Sequence, residues 1–319
     1  MRFLALSSAL EYNRINEASR NRRIRKQMGY ILLLILSVVQ GLCPCLMKKF
    51  VKDTENIPNA KNVYMLLIYP LATIYYFILA GGDTPLNLPT FWFSLVFGLV
   101  GVGSTVLHII GYRYASLIYM SVFNGAGATL VPFLFELLLG RESFSTSEIL
   151  SVLFRLVAVC VPLLAFKKKD QNTKTGIFIC MLLFLIGGAV NVIYKLYGEN
   201  PSVASDQSFC FWTNVVTLPF IILIILKQTK LKTLIASGRK IKKIDYACVI
   251  GSMMIGNLCT LVSIHILRML SATAYSILNS SLVLVVTVIV SITLYKEKLT
   301  KETVFSVIFS ILAIIFGVL

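Results

Sequence analysis

From residue 28 to residue 319 the chain is a succession of apolar runs separated by short polar breaks. A helix rising 1.5 Å per residue needs about 20 apolar residues to cross a hydrocarbon core of about 30 Å. Ten such runs can be placed, at 28–47, 62–81, 90–112, 116–139, 147–166, 175–198, 208–226, 245–267, 271–294 and 302–319. Each is expected to be helical, because an open strand in lipid would leave backbone N–H and C=O groups unpaired. The expected fold class is an all-α membrane protein of about ten transmembrane helices. Composition agrees, since only 14% of the residues are charged against about 25% in soluble domains.

The formal net charge of +16 would point to nucleic acid in a soluble protein. Here the Lys and Arg residues cluster in the breaks between apolar runs, where they read as headgroup contacts and topology signals, so no nucleic acid is expected. With ten crossings both termini share one side, which carries nine cations: seven in the tail, Arg141 and Arg268. The opposite side carries nineteen. The bulk count places the termini outside, whereas the basic tail at 1–27 argues for inside, so orientation stays open. That tail precedes an apolar run too long for a signal h-region, and the first run is expected to remain as an anchor.

The seven cysteines all lie in apolar stretches and are read as packing residues rather than a disulfide framework. With only His108 and His265 beside them, no metal site is expected, and no cofactor or catalytic cluster is evident. Pro44, Pro70, Pro132, Pro162 and Pro219 fall inside spans, where proline kinks helices or frees carbonyls.

The chain also repeats itself. A shift of 155 residues aligns Arg113 with Arg268, Ser116 with Ser271, Ser121 with Ser276, Asn124 with Asn279 and Glu142 with Glu297, without a gap. Leu139 with Leu294, Phe154 with Phe309 and Ala158 with Ala313 follow in the same register. Apolar matches arise by chance, but Arg, Asn and Glu together rarely do. At the start of each half Gly41 precedes Lys48 by seven, as Gly188 precedes Lys195. The expected organisation is a tail at 1–27, a first five-helix repeat at 28–166 and a second at 174–319. An odd number of crossings per repeat inverts the second copy, an architecture recurrent among transporters with a site at the repeat interface.

These residues resemble the drug/metabolite transporter superfamily in its ten-helix EamA-like form. The resemblance rests on the two Gly-to-Lys spacings, on the break Arg113-Tyr114 with Ser116 and its counterpart Arg268 with Ser271, and on Glu142-Ser143-Phe144-Ser145 and Glu297-Lys298-Leu299-Thr300 after the fourth helix of each half. It covers about residues 28–319. The tryptophan frequent before the first glycine is replaced by Gln40 and Gly187, and Pro132 stands about one turn later than is usual. The resemblance implies efflux across the cell (plasma) membrane, and a central cavity built from the first, third and fourth helices of each half.

Polar side chains at mid-membrane are costly and normally face the bundle interior. Gln40, Ser104, Asn124, Asn191, Asn257 and Asn279 stand near the middle of their spans and are the candidate substrate-binding residues. Asn124 and Asn279 lead as repeat mates. An amide both donates and accepts, so the pair could hold a polar or zwitterionic solute. Hydrogen bonding between helices is the competing reading for the same amides. Glu136 and Arg155, about 8 and 14 Å deep at 1.5 Å per residue, are expected to form a structural ion pair. His108 and His265 lie near helix ends and are read as interfacial.

The leading expectation is a secondary transporter moving a small polar, zwitterionic or amphipathic solute by alternating access. No G-x-x-x-x-G-K-[ST] motif is present to drive it with ATP. Uptake or exchange of a sugar-like or phosphorylated solute is the alternative, with Lys48, Lys195 or Arg268 as anion contacts. A membrane-embedded enzyme is the least favoured reading. Expected partners are a small-molecule solute and membrane lipids, and a homodimer is compatible with such a chain.

Overall fold

The computed structural model describes residues 2–140, 145–165, 171–270, 272–296 and 300–318. Arg141, Glu142, Ser143, Phe144, Ser271, Glu297, Lys298 and Leu299 of the repeat motifs lie outside them. The described residues form eleven helices: α1 (Arg2–Asp53), α2 (Ala60–Leu79), α3 (Leu88–Tyr114), α4 (Leu117–Leu139), α5 (Thr146–Ala165), α6 (Gln171–Glu199), α7 (Asp206–Gln228), α8 (Leu231–Lys240), α9 (Lys243–Leu267), α10 (Ala272–Tyr295) and α11 (Lys301–Val318). Eight are long and apolar enough to cross a membrane: α1 from Gln27 onward, α2, α3, α4, α6, α7, α9 and α10 from Ala274 onward. The other two expected spans are helices as well. In α11 the apolar stretch, Val304–Gly317, is shorter, and α5 runs up to residues outside the described set.

Two helical features were not foreseen. The first helix begins far ahead of its apolar run and takes in the basic tail. The basic break at 227–243 contains α8, whose Leu234 and Ser237 are buried beside α2.

Local chemistry explains where several helices start and stop. Asn87 accepts a hydrogen bond from the Thr90 amide at 2.9 Å with Pro89 in the first turn of α3, and Ser116 accepts from the Tyr119 amide at 3.2 Å to open α4. Ser145 and Glu148 form a reciprocal capping box on α5, Glu148 accepting from the Ser145 amide at 2.9 Å and Ser145 from the Glu148 amide at 3.3 Å. Gly140 ends α4 with φ at 61°, a left-handed conformation that glycine adopts without strain.

The bundle is arranged for lipid. Large apolar side chains cover its outside, with Leu138 of α4 85% exposed, while Ser37, Thr129, Asn191, Ser276, Asn279 and Ser310 are buried between helices. In a bilayer, small and polar residues hold helices together by close approach and hydrogen bonding. Helices α4 and α6 cross at close range: a Cβ added to Gly127 would lie 1.7 Å from the Phe184 carbonyl oxygen and one added to Gly188 would lie 2.2 Å from Val131.

Several packing contacts come in matched sets. Gly41 of α1 faces Val286 of α10 as Gly188 of α6 faces Val131 of α4, and Val286 stands 155 positions after Val131. Ser151 Oγ donates to the Ala313 carbonyl at 2.6 Å, and Ser306 Oγ, 155 positions later, donates to the Ala158 carbonyl, 155 positions earlier. Helix α1 packs on α9 and α10, α6 on α3 and α4, α2 on α7, α4 on α10, and α5 on α11.

Candidate functional site

A cavity of about 210 Å³ opens in the interior of the bundle. Its wall takes Gln40 from α1, Ser104 and His108 from α3, Asn124 and Gly125 from α4, Asn191 and Tyr194 from α6, Thr260 and Ser263 from α9, and Tyr275, Asn279 and Ser280 from α10. Five of the six residues singled out in the sequence thus share one chamber. Each helix brings its polar residues at helical spacing: Ser104 and His108 are four apart, Asn124, Gly125 and Ala128 lie on one face of α4, and Tyr275 and Asn279 are again four apart.

Asn257 lies elsewhere. It lines an adjacent chamber of about 340 Å³, with Tyr69, Tyr76 and Asn214, and accepts from the Tyr76 hydroxyl through its backbone carbonyl at 2.9 Å and its side chain at 3.1 Å. Ser104 and Thr260 border both chambers.

The two leading asparagines differ in what they hold. Asn279 Oδ1 accepts from Ser37 Oγ at 2.8 Å, and its Nδ2 donates to Gln40 Oε1 at 3.0 Å and to Tyr275 Oη at 3.3 Å, while Tyr275 itself donates to Ser263 at 2.7 Å. The Asn279 amide is therefore occupied in joining α10 to α1. Asn191 is likewise engaged, donating to the Ala128 carbonyl at 2.9 Å and to Ser276 at 3.1 Å. Half-buried Asn124 makes no side-chain hydrogen bond among the described residues. Its Oδ1 rests against Gly187, where a Cβ would come within 2.5 Å.

Arg155 and Glu136, expected to form a structural ion pair, are both buried. The guanidinium donates through Nη1 to Ser310 Oγ at 2.7 Å and through Nη2 to the Ser280 carbonyl at 3.4 Å. Depth counted along the chain locates Cα atoms, whereas an arginine head can travel several ångströms from its own.

His108, read from the sequence as interfacial, lines the cavity. Its Nδ1 lies 2.8 Å from the Ser104 carbonyl, which can only accept, so Nδ1 carries the proton and donates. The available signal was its four-residue spacing from Ser104. Tyr194 and Tyr275 escaped notice because an aromatic in a membrane helix reads as packing until its hydroxyl is located. No Asp, Glu, Lys or Arg lines the chamber among the described residues. The basic residues near the helix ends are engaged elsewhere: Lys195 pairs with Glu199 at 2.9 Å, Arg268 with Asp206 at 2.6 Å, and Lys48 lies 4.8 Å from the centre of the Tyr295 ring.

Comparison with known proteins adds to this geometry. No curated protein matches the chain. A solved crystal structure of a protein shares the architecture at 11% identity, with a TM-score of 0.57 over 92% of this chain and 96% of the other, a likeness that speaks for the fold alone. Residues 174–319 match the EamA-like transporter family, and the chain, with eight helices long and apolar enough to cross a membrane among its described residues, is an integral multi-pass membrane protein.

Proposed function

We propose that this chain is a secondary transporter that carries a small polar or zwitterionic solute across the membrane by alternating access, in the direction of export. In this reading residues 28–166 and 174–319 are inverted five-helix repeats that rock about the chamber holding Asn124 and Asn279, exposing it to each side in turn. The observation that carries the proposal is the shared wall: α1, α3 and α4 from one half and α6, α9 and α10 from the other enclose one polar cavity.

The matched contacts support the repeat. Exchanging α1 with α6, α2 with α7, α3 with α9, α4 with α10 and α5 with α11 turns the main helix pairings into one another: α1 on α10 becomes α6 on α4, and α1 on α9 becomes α6 on α3. The export direction rests on the resemblance carried by the repeat motifs of the sequence. The chamber size favours a metabolite, since pockets for drug-sized ligands measure about 300–1,000 Å³ against about 210 Å³ here.

The test is flux into liposomes containing the purified chain, screened with amino acids, sugars and cationic dyes, and repeated with Asn124→Ala. Transport of one solute class that falls at least tenfold in the variant is the expected result, about 1.4 kcal/mol of lost interaction. Equal flux through wild type and variant would remove the chamber from the transport path.

A further inference from the structure

Arg155 is fully buried at 0% exposure, and its guanidinium sits directly behind the wall of the cavity. A Cβ built on Gly125 would lie 2.3 Å from Arg155 Nη2, so the arginine packs against a residue with no side chain to screen it. Gly125 and Ser280 both line the cavity, and Nη2 donates to the Ser280 carbonyl at 3.4 Å. Asn124, next to Gly125 in the chain, also lines the cavity, with its amide unused among the described residues.

The guanidinium is under-compensated where it stands. An arginine has five N–H donors, and among the described residues they reach Ser310 and the Ser280 carbonyl, leaving Nε buried without a partner. Glu136 shares α4 with Gly125 but stands eleven residues away, which is about 16 Å along the axis at 1.5 Å per residue. No carboxylate lines the chamber among the described residues. A buried cation in a low dielectric demands a nearby negative group, and its field is weakly screened across a wall one backbone thick.

Resting on the chamber as the transport site, we propose that it selects a solute bearing a carboxylate, which docks beside Asn124 and Gly125 where Arg155 supplies the positive potential. The Asn124 amide donates directly to the carboxylate. Arg155 does not touch the solute; it acts through the Gly125 wall as the residue that sets charge preference. A cationic solute would meet a positive wall and no acid, so it is rejected.

The experiment measures binding to the purified full chain by thermal shift and by counterflow in liposomes, using a panel of α-amino acids, each with its own α-amide. Acid and amide of a pair share shape and differ at the carboxylate. In wild type the acid is expected to bind roughly tenfold more tightly than its amide. Arg155→Lys, which keeps the charge, retains that preference, and Arg155→Met brings the ratio close to one. Equal binding of acid and amide by wild type, no binding by any carboxylate-bearing member, or an unchanged ratio in a folded Arg155→Met variant overturns the inference. If Arg155→Met does not fold, the wild-type ratio and the Arg155→Lys ratio still decide. Asn124→Ala separates the two levels of the argument. Should it weaken acid and amide alike while wild type shows no preference, the chamber stands and the carboxylate assignment falls; should it change neither, the chamber is the wrong site.

Discussion

Arg155 donates through Nη1 to the hydroxyl of Ser310 at 2.7 Å, and Ser310 stands 155 positions further along the chain, the spacing of the proposed repeat. Phe154 and Phe309, the preceding residues of each, stack with ring centroids 6.1 Å apart. In the proposed repeat, such contacts between counterparts place α5 and α11 close to a local two-fold relation. Gly125 and Ser280, also 155 apart, do the same on α4 and α10, where a Cβ on Gly125 would lie 3.2 Å from Ser280 Cβ.

The two asparagines are expected to fail differently. Asn279→Ala removes three hydrogen bonds that join α10 to α1 and to Tyr275, and should cost about 2 kcal/mol of stability. Asn124→Ala removes none among the described residues, and should lower solute affinity with stability within about 0.5 kcal/mol of wild type. Thermal unfolding in detergent, read beside solute binding, checks both. Equal stability losses would show that Asn124 is a packing residue.

The crossing of α4 and α6 admits no added atom at Gly127, because the obstacle is the backbone oxygen of Phe184 rather than a movable side chain. Gly127→Ala should cost about 3 kcal/mol through forced separation of the helices. Gly101→Ala is the control, since nothing lies within 4 Å of a Cβ there. Expression level and melting temperature of the two variants should diverge sharply.

Ser151 and Ser306 make reciprocal bonds to the Ala313 and Ala158 carbonyls. Replacing either by Ala should cost about 1 kcal/mol, and the two losses should be equal within error. Chemical denaturation of the single variants tests this; a loss several times larger at one serine would mean that the two halves carry load unequally.

The charges at the helix ends should matter little to selectivity. Arg268 is paired with Asp206, with side-chain exposures of 42% and 14%, and Lys195 with Glu199. Partly exposed pairs of this kind contribute about 0–1 kcal/mol, and neither cation lines the central chamber. Arg268→Ala and Lys195→Ala are expected to leave the relative transport of anionic and neutral solutes unchanged in a competition assay. A preference for anions that disappears with either variant would favour uptake or exchange of a sugar-like or phosphorylated solute.

The positions of the long helices were legible in the chain because lipid imposes two conditions that sequence satisfies openly: length and apolarity. Nine of the ten expected runs match a helix to within a few residues and the first, 28–47, falls inside the longer α1, while eight helices among the described residues are long and apolar enough to cross a membrane. Helix α8 and the extension of α1 through the basic tail were not legible, since short or polar helices are stabilised by what they pack on and leave no long apolar run. The polar midplane residues were visible for a related reason, as groups that lipid would not tolerate facing outward.

The direction of each side chain was decided by tertiary structure alone. Gln40, Ser104, Asn124, Asn191 and Asn279 meet in one chamber while Asn257 enters the next, because rotation about each helix axis follows from packing against neighbours far along the chain. The same packing engages Asn279 with α1 and leaves its counterpart Asn124 open to the cavity. It also brings the head of Arg155 to Gly125, a position that chain depth could not reveal, because a long flexible side chain takes its place from the space its neighbours leave.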